Sequence, residues 1–274
     1  MIDRPLLRND PEEVGAWQIR SRLGLGATGV VFGGVGPLGR SVAIKVLRPD
    51  AATDPNYRAR FRAEVRALAA VESPHVANLI DADVDADQPY HVTRLVEGPN
   101  LRDHVDQFGP LRGEDLVAFA HDLAEGVAAV HRAGFVHRDL KPENVVMGPD
   151  GPVLVDFGLA SPHDMTEMTQ IAAESGTPGW IAPELISGAD AGLASDVFVW
   201  AALVAYAGSG LAPFGNGAPV TMMYRIVHEE PSLDELDPVA ETAVRSGLIK
   251  DPTRRPSLGQ LCHLMGTPVL ERVA

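Results

Sequence analysis

His137-Arg-Asp-Leu-Lys-Pro-Glu-Asn144 is the stretch whose reading decides the fold. It gathers a carboxylate (Asp139), an ammonium (Lys141) and a carboxamide (Asn144) within six residues. Upstream, Leu116, Phe119, Leu123, Val127 and Val130 recur at helical spacing, with Gly134 as the candidate C-cap, so a long helix delivers the stretch. Downstream, Val145-Val-Met147 and Pro152-Val-Leu-Val155 flank the turn Gly148-Pro-Asp-Gly151 and predict a tight hairpin. That hairpin brings Asn144 beside Asp156 although the two are twelve residues apart. Two oxygen ligands converging on one point suit magnesium, which takes few protein ligands and completes its shell with phosphate and water. Asp156 alone, before Phe157 and Gly158, would read as a turn aspartate; beside Asn144 and Asp139 it reads as a ligand.

The glycines Gly24, Gly26 and Gly29 fit G-x-G-x-x-G inside a segment from Trp17 to Val35 that alternates apolar and polar residues, which predicts strand, glycine turn and strand. Glycine lets such a backbone close over phosphates without a Cβ in the way. A dinucleotide fold would need a helix opening at the third glycine, but Val30-Val-Phe-Gly-Gly-Val35 is β-branched and glycine-rich, so the hairpin form is preferred. Ser41-Val-Ala-Ile-Lys-Val-Leu47 is a short apolar strand that carries Lys45, a residue that by itself would mark a strand end or an outward-facing position. Nineteen residues on, Glu64 shares a helical face with Phe61, Val65 and Leu68. An acid turned inward wants a cation, and Lys45 is the candidate.

Composition bounds the rest. The 274 residues are 45% hydrophobic and 22% charged, ordinary values for a chain that buries a large core in one domain or two lobes. A net charge of −14 argues against nucleic acid and anionic membrane as partners, because both demand basic patches. A single cysteine, Cys262, leaves no internal disulfide framework and suits a reducing cytoplasm. No window is apolar for the roughly 18 residues of a spanning helix, and the N-terminus has acids and prolines where a signal peptide needs an apolar core. Residues 1–15 are expected to lie on the surface as a polar leader. Asp81, Asp83 and Asp85 match the first ligands of a calcium loop, but Ala86 and Val92 stand where glycine and glutamate are required, so a solvated turn is expected. Asp196 opens the nearly all-apolar Val197-Phe-Val-Trp-Ala-Ala-Leu203 helix and needs partners there.

With Asp156-Phe-Gly158, Thr177, Ala182-Pro-Glu184 and Asp251-Pro-Thr-Arg-Arg-Pro256, these motifs resemble the signature set of the protein kinases over residues 16–268. The closest flavour is the bacterial eukaryotic-like serine/threonine protein kinases. The resemblance implies an α+β, bilobal fold: a small antiparallel β-sheet lobe with one helix (16–97) and a larger, mainly helical lobe (98–268). It implies ATP and Mg2+, with Asp139 accepting the hydroxyl proton, Lys141 steadying the γ-phosphoryl, and Lys45 held by Glu64 on the α- and β-phosphates. Asn144 and Asp156 are the implied metal ligands. Leu23, Val31, Ala43 and Val146 would wall the adenine, Thr93 is the implied gatekeeper, and Arg94, Leu95 and Val96 form the hinge.

Further implications concern control and packing. Arg138 before the catalytic aspartate goes with phosphorylation of the activation segment, for which Thr166 and Thr169 are the expected sites and Ser175 a further hydroxyl. Trp180 stands where tyrosine is frequent, on the expected floor of the substrate groove, and Ala201 stands where glycine is frequent. Arg255 is expected to pair with Glu184, and Asp196 to bond the catalytic-loop backbone. Protein substrates are implied, and a homodimer through the small lobe is common in relatives. The expected location is cytoplasmic, with the full-length protein membrane-anchored if the chain is a fragment of a receptor kinase. A pseudokinase scaffold is the rival reading; such chains usually lack one of Lys45, Asp139 and Asp156, and all are present here.

Overall fold

The computed structural model describes residues 4–26, 29–156 and 178–266. Its strands are β1 (Glu13–Val14), β2 (Trp17–Leu25), β3 (Gly29–Val35), β4 (Ser41–Leu47), β5 (Leu79–Asp83), β6 (Tyr90–Arg94), β7 (Val145–Gly148) and β8 (Gly151–Leu154). The first six make one antiparallel sheet in the order β1-β2-β3-β4-β6-β5, and β7 and β8 pair separately. Alternation along the strands sorts the sheet's faces. Phe32, Val42, Ile44, Val46 and Val92 turn one way and bury with Trp17 and Ile19. Ala43 and Lys45 turn the other way, paired in register with Thr93 and His91.

That second face is covered by helix. After α1 (Pro49–Thr53), α2 (Pro55–Ala70) starts where Asp54 accepts the Asn56 N–H at 2.8 Å and Pro55 supplies the first helical residue. Phe61 of α2 buries with Leu47, Ala51 and Ala52, which fixes the helix over the end of β4.

The leader is attached more firmly than its composition suggests. Arg4 and Arg22 exchange backbone hydrogen bonds of 3.0 and 2.9 Å. Asp10, with a side chain only 4% exposed, accepts from Arg22 Nε at 2.6 Å and from the Leu7 N–H at 2.7 Å. Residues 4–14 therefore run along the surface as expected, but as an added edge of the sheet. The acidic run is a turn: Asp83 accepts the N–H groups of Asp85 and Ala86, and Asp81 accepts from the Trp17 indole at 2.8 Å.

The helical part comprises α3 (Leu101–Phe108), α4 (Gly113–Arg132), α5 (Pro183–Ile186), α6 (Leu193–Ser209), α7 (Pro219–His228), α8 (Pro238–Gly247) and α9 (Leu258–Leu264). α6 is buried nearly all round, as its apolar sequence requires, and Trp200 donates from it to the Ala120 carbonyl of α4 at 3.1 Å. Cys262 lies buried in α9. Two connections tie this part to the sheet. Gly98, at φ +141°, brings the chain so close to β7 that a Cβ would meet the Met147 carbonyl at 2.1 Å. On the other side, Leu154 of β8 donates to the His75 carbonyl and accepts from the Ala77 N–H, each at 2.9 Å. These two seams flank the β7 and β8 pair.

Candidate active site

Asp196 is the anchor of the loop that carries Asp139. It sits in the first turn of α6 with 2% of its surface exposed, and a buried carboxylate needs donors. Its oxygens accept from the His137 N–H at 2.8 Å, the Arg138 N–H at 3.0 Å and His131 Nε2 at 2.8 Å. Arg138 is thereby held at φ +67°, a conformation that an L residue adopts only under constraint. The bend leads into Asp139, whose side chain is 39% exposed. Lys141 Nζ donates to both its oxygens, at 2.9 and 2.7 Å, and Asn144 Nδ2 donates to its carbonyl and to Oδ2, each at 2.8 Å. The bonds made by Nδ2 turn the Asn144 amide oxygen to the other side of the carboxamide.

The β7 and β8 pairing puts Val145 opposite Leu154, and the Val155 N–H donates to the Asn144 carbonyl at 2.9 Å. Asp156 follows at φ +65°, which turns it back toward the sheet. There Lys45 Nζ donates to Asp156 Oδ1 and, at 2.7 Å, to Glu64 Oε1. Burial alone would lower the lysine pKa, but Asp156 and Glu64 outweigh it and hold it well above the usual value. Burial likewise opposes the Asp156 charge, and Lys45 overrides it, keeping the carboxyl well below the usual range. Glu64, 7% exposed, also faces His91 Nε2 at 3.2 Å.

In the large sheet, Gly24 pairs with Val31 in the β2 and β3 ladder, and the Gly26 N–H donates to the Gly29 carbonyl at 2.8 Å, closing the turn. A Cβ on Gly29 would meet the Val46 carbonyl at 2.7 Å, so β3 can lie this near β4 only with glycine there. Leu23, Val31 and Ala43 are partly buried around this turn, and Thr93 is 8% exposed. Val146, expected as an apolar wall for adenine, has no exposed surface and buries with Ala77, Val96 and Val153. Arg94 uses its side chain on the Pro74 carbonyl at 3.2 Å and its N–H on the Asn78 carbonyl at 3.1 Å, so it braces the loop before β5.

Trp180 is 9% exposed and stands edge-on to Tyr206 at 5.6 Å, which makes it more a core residue than a groove floor. Arg255 and Glu184 form a two-pronged pair at 2.7 Å for each prong. Thr166, Thr169, Ser175 and Thr177, like Phe157 and Gly158, lie outside the described residues. Sequence reasoning passed over His131 and His91. His131 carried no signal beyond its place in the last turn of α4, whereas His91 lies two residues before Thr93 on a strand and so shares its face.

The donor set would suit a hard divalent cation, because the Asn144 amide and the Asp156 carboxylate are oxygen donors at the two ends of one hairpin. Residues 17–265 match the protein kinase domain family. The chain is 41% identical over 263 residues to the probable serine/threonine-protein kinase PkwA of Thermomonospora curvata, covering 96% of this chain and 35% of that protein. It is 36% identical over 273 residues to the serine/threonine-protein kinase AfsK of Streptomyces coelicolor, covering 97% and 34%. The chain therefore spans about a third of the length of these curated relatives. Among solved structures, the PknI kinase domain of Mycobacterium tuberculosis superposes with a TM-score of 0.69 at 25% identity, over 91% of this chain and 94% of that one.

Proposed function

This chain belongs to the protein kinase domain family, and on that premise we propose that it transfers the γ-phosphoryl group of ATP to serine or threonine hydroxyls of proteins. The observation that carries the reading is the meeting of Lys45 with Glu64, at 2.7 Å, and with Asp156, together with an Asp139 braced by the Asn144 carboxamide. In the transfer, a bond forms between the acceptor oxygen and the γ-phosphorus, and the bridge to the β-phosphate breaks to release ADP. Asp139 orients the hydroxyl and takes its proton as the transfer proceeds. Lys141 balances Asp139 and the γ-phosphoryl. Lys45 exchanges its bond to Asp156 for the α- and β-phosphates, while Glu64 keeps it in place. Mg2+ on Asn144 and Asp156 would neutralise phosphate charge. Leu23, Val31, Ala43 and the hinge at Arg94 and Val96 are assigned to the adenine, and Gly24, Gly26 and Gly29 to the phosphates.

The kinase domain is assigned to residues 16–268, acting in the cytoplasm on protein substrates. Among the described residues no helix is long and apolar enough to cross a membrane. Phosphorylation by the protein of its own Thr166 or Thr169, answered by Arg138, completes the reading.

Transfer from radiolabelled ATP to casein, with magnesium, tests it. Asp139→Asn should bind nucleotide as the wild type does and lose about 10²–10⁴-fold in turnover. A wild type that binds ATP and transfers nothing would be a pseudokinase scaffold. Mass spectrometry after ATP treatment should find phosphate between residues 159 and 177, and its absence removes the autophosphorylation claim.

A further inference from the structure

His91 is a buried imidazole at a place where a hydrocarbon would fill the space without desolvating a ring nitrogen. It is 5% exposed, on the helix-covered face of β6, directly across the ladder from Lys45. Its Nε2 lies 3.2 Å from Glu64 Oε1, the same oxygen that accepts from Lys45 at 2.7 Å. A carboxylate oxygen only accepts, so Nε2 carries the hydrogen. Nδ1 is then a buried nitrogen with no partner among the described residues, and the desolvation of that atom opposes folding. The ring also stacks on Phe61, with centroids 5.4 Å apart and planes at 28°. Phe61 and Glu64 are one turn apart on α2, so a single ring on β6 grips the helix by its apolar and its charged contact together.

We propose that His91 is a positioning residue for phosphoryl transfer, holding Glu64 and with it α2 over the sheet while Lys45 moves between Asp156 and the phosphates. Lys45 needs this help because its ammonium is divided. It bonds both Glu64 and Asp156, and a bound triphosphate competes for the same hydrogens. A carboxylate held only by Lys45 would loosen whenever the ammonium shifted. The His91 bond comes from a strand that takes no part in that exchange. The inference rests on the proposed phosphotransferase function.

His91→Leu and His91→Gln, in the whole chain, test it. The leucine variant keeps ring-sized apolar bulk and has no donor, while the glutamine amide can still reach Glu64. The expected result is a leucine variant that melts no lower than wild type yet loses about tenfold in kcat, the worth of a hydrogen bond to a charged group, with the KM for ATP nearly unchanged. Glutamine restores most of that loss. Hydrogen exchange at the amides of residues 60–68, without nucleotide, should be faster with leucine and slow again with glutamine. A leucine variant as active as wild type, or a glutamine variant no better than leucine, overturns the proposal. Should the leucine variant not fold, the same comparison is read from His91→Met. If wild type transfers no phosphate at all, the kinase reading fails, and the exchange pattern alone decides His91: no difference between the variants overturns it.

Discussion

Among the described residues two cations are buried against glutamates, Arg255 against Glu184 and Lys45 against Glu64, and they are held in opposite ways. The side chain of Arg255 has no exposed surface, and its five N–H donors have five acceptors: both Glu184 oxygens and the carbonyls of Ile249, Ala194 and Lys250. Ser195 donates a further bond to Glu184. Every hydrogen is spoken for, so the pair ties α5, α6 and the segment before α9 into one geometry and can do nothing else. Lys45 is 12% exposed, bonds one oxygen of Glu64 and one of Asp156, and lies beside a carboxylate that is 37% exposed. A saturated pair builds a scaffold. A shared ammonium keeps one N–H free of these two carboxylates, and can trade a second, for a ligand.

The contrast breaks if the two pairs respond alike to truncation. Arg255→Ala leaves Glu184 buried without its cation and should cost about 3–5 kcal/mol, read as a drop of roughly 10 °C or more in melting temperature. Lys45→Met should lower the melting temperature less, because Asp156 can take up water and Glu64 keeps His91. Its loss should fall on turnover, by about 10²–10³-fold, the usual effect of removing one electrostatic donor from a transition state. If instead the lysine variant melts as early as the arginine variant, Lys45 is as structural as Arg255 and the distinction is lost.

Acid sharpens the same contrast. Burial by itself would raise the Glu184 carboxyl, but the bonds from Arg255 and Ser195 outweigh it and hold it below the ordinary 4.5. The unfolded chain therefore binds this proton more readily than the folded one, so the stabilisation is fully present above pH 4.5 and fades as pH falls through the lower, folded value. Melting curves between pH 6 and pH 3 should lose part of their slope in Arg255→Ala. An unchanged slope would mean that Glu184 does not carry the acid dependence.

The geometry of the candidate site was the most legible part of the sequence, for a physical reason. Asp139, Lys141, Asn144 and Asp156 must stand at fixed spacing on one loop and one hairpin, so spacing alone brings them together, and the register of Val145 with Leu154 is the one the turn at 148–151 demands. Glu64 was legible because an acid on the Phe61 and Leu68 face of a helix has to meet a cation. What escaped is what depends on distant packing. α3, α8 and α9 are short, and their starts are set by single caps, Asn100, Asp237 and Ser257, that look like ordinary loop residues in sequence. The burial of Val146 and of Trp180 reflects neighbours supplied by the hinge and by α6, which no local pattern encodes. The attachment of the leader combines the Asp10–Arg22 ion pair with backbone bonds between Arg4 and Arg22, residues of no periodicity.

The smallest effect concerns a cation that belongs to neither class. Lys250 stands 4.0 Å above the Phe214 ring and donates to the Ile226 carbonyl at 2.6 Å, but no carboxylate bonds it among the described residues. Burial, with Arg255 nearby, pulls its pKa down from 10.5 to about 8. Between those values the unfolded chain binds the proton that the folded chain has released, so stability should rise as pH climbs from 8 to 10.5 and stay level in this respect below 8. Solvent reaches part of the side chain, which limits the gain to about 1 kcal/mol or less. Melting wild type and Lys250→Met in parallel isolates the contribution: the difference between them should change across that window and be flat from pH 6 to 7.5. A flat difference throughout would show that the ring and the carbonyl compensate the buried charge as fully as Glu184 compensates Arg255, and that a partner carboxylate is not what separates a comfortable buried cation from a poised one.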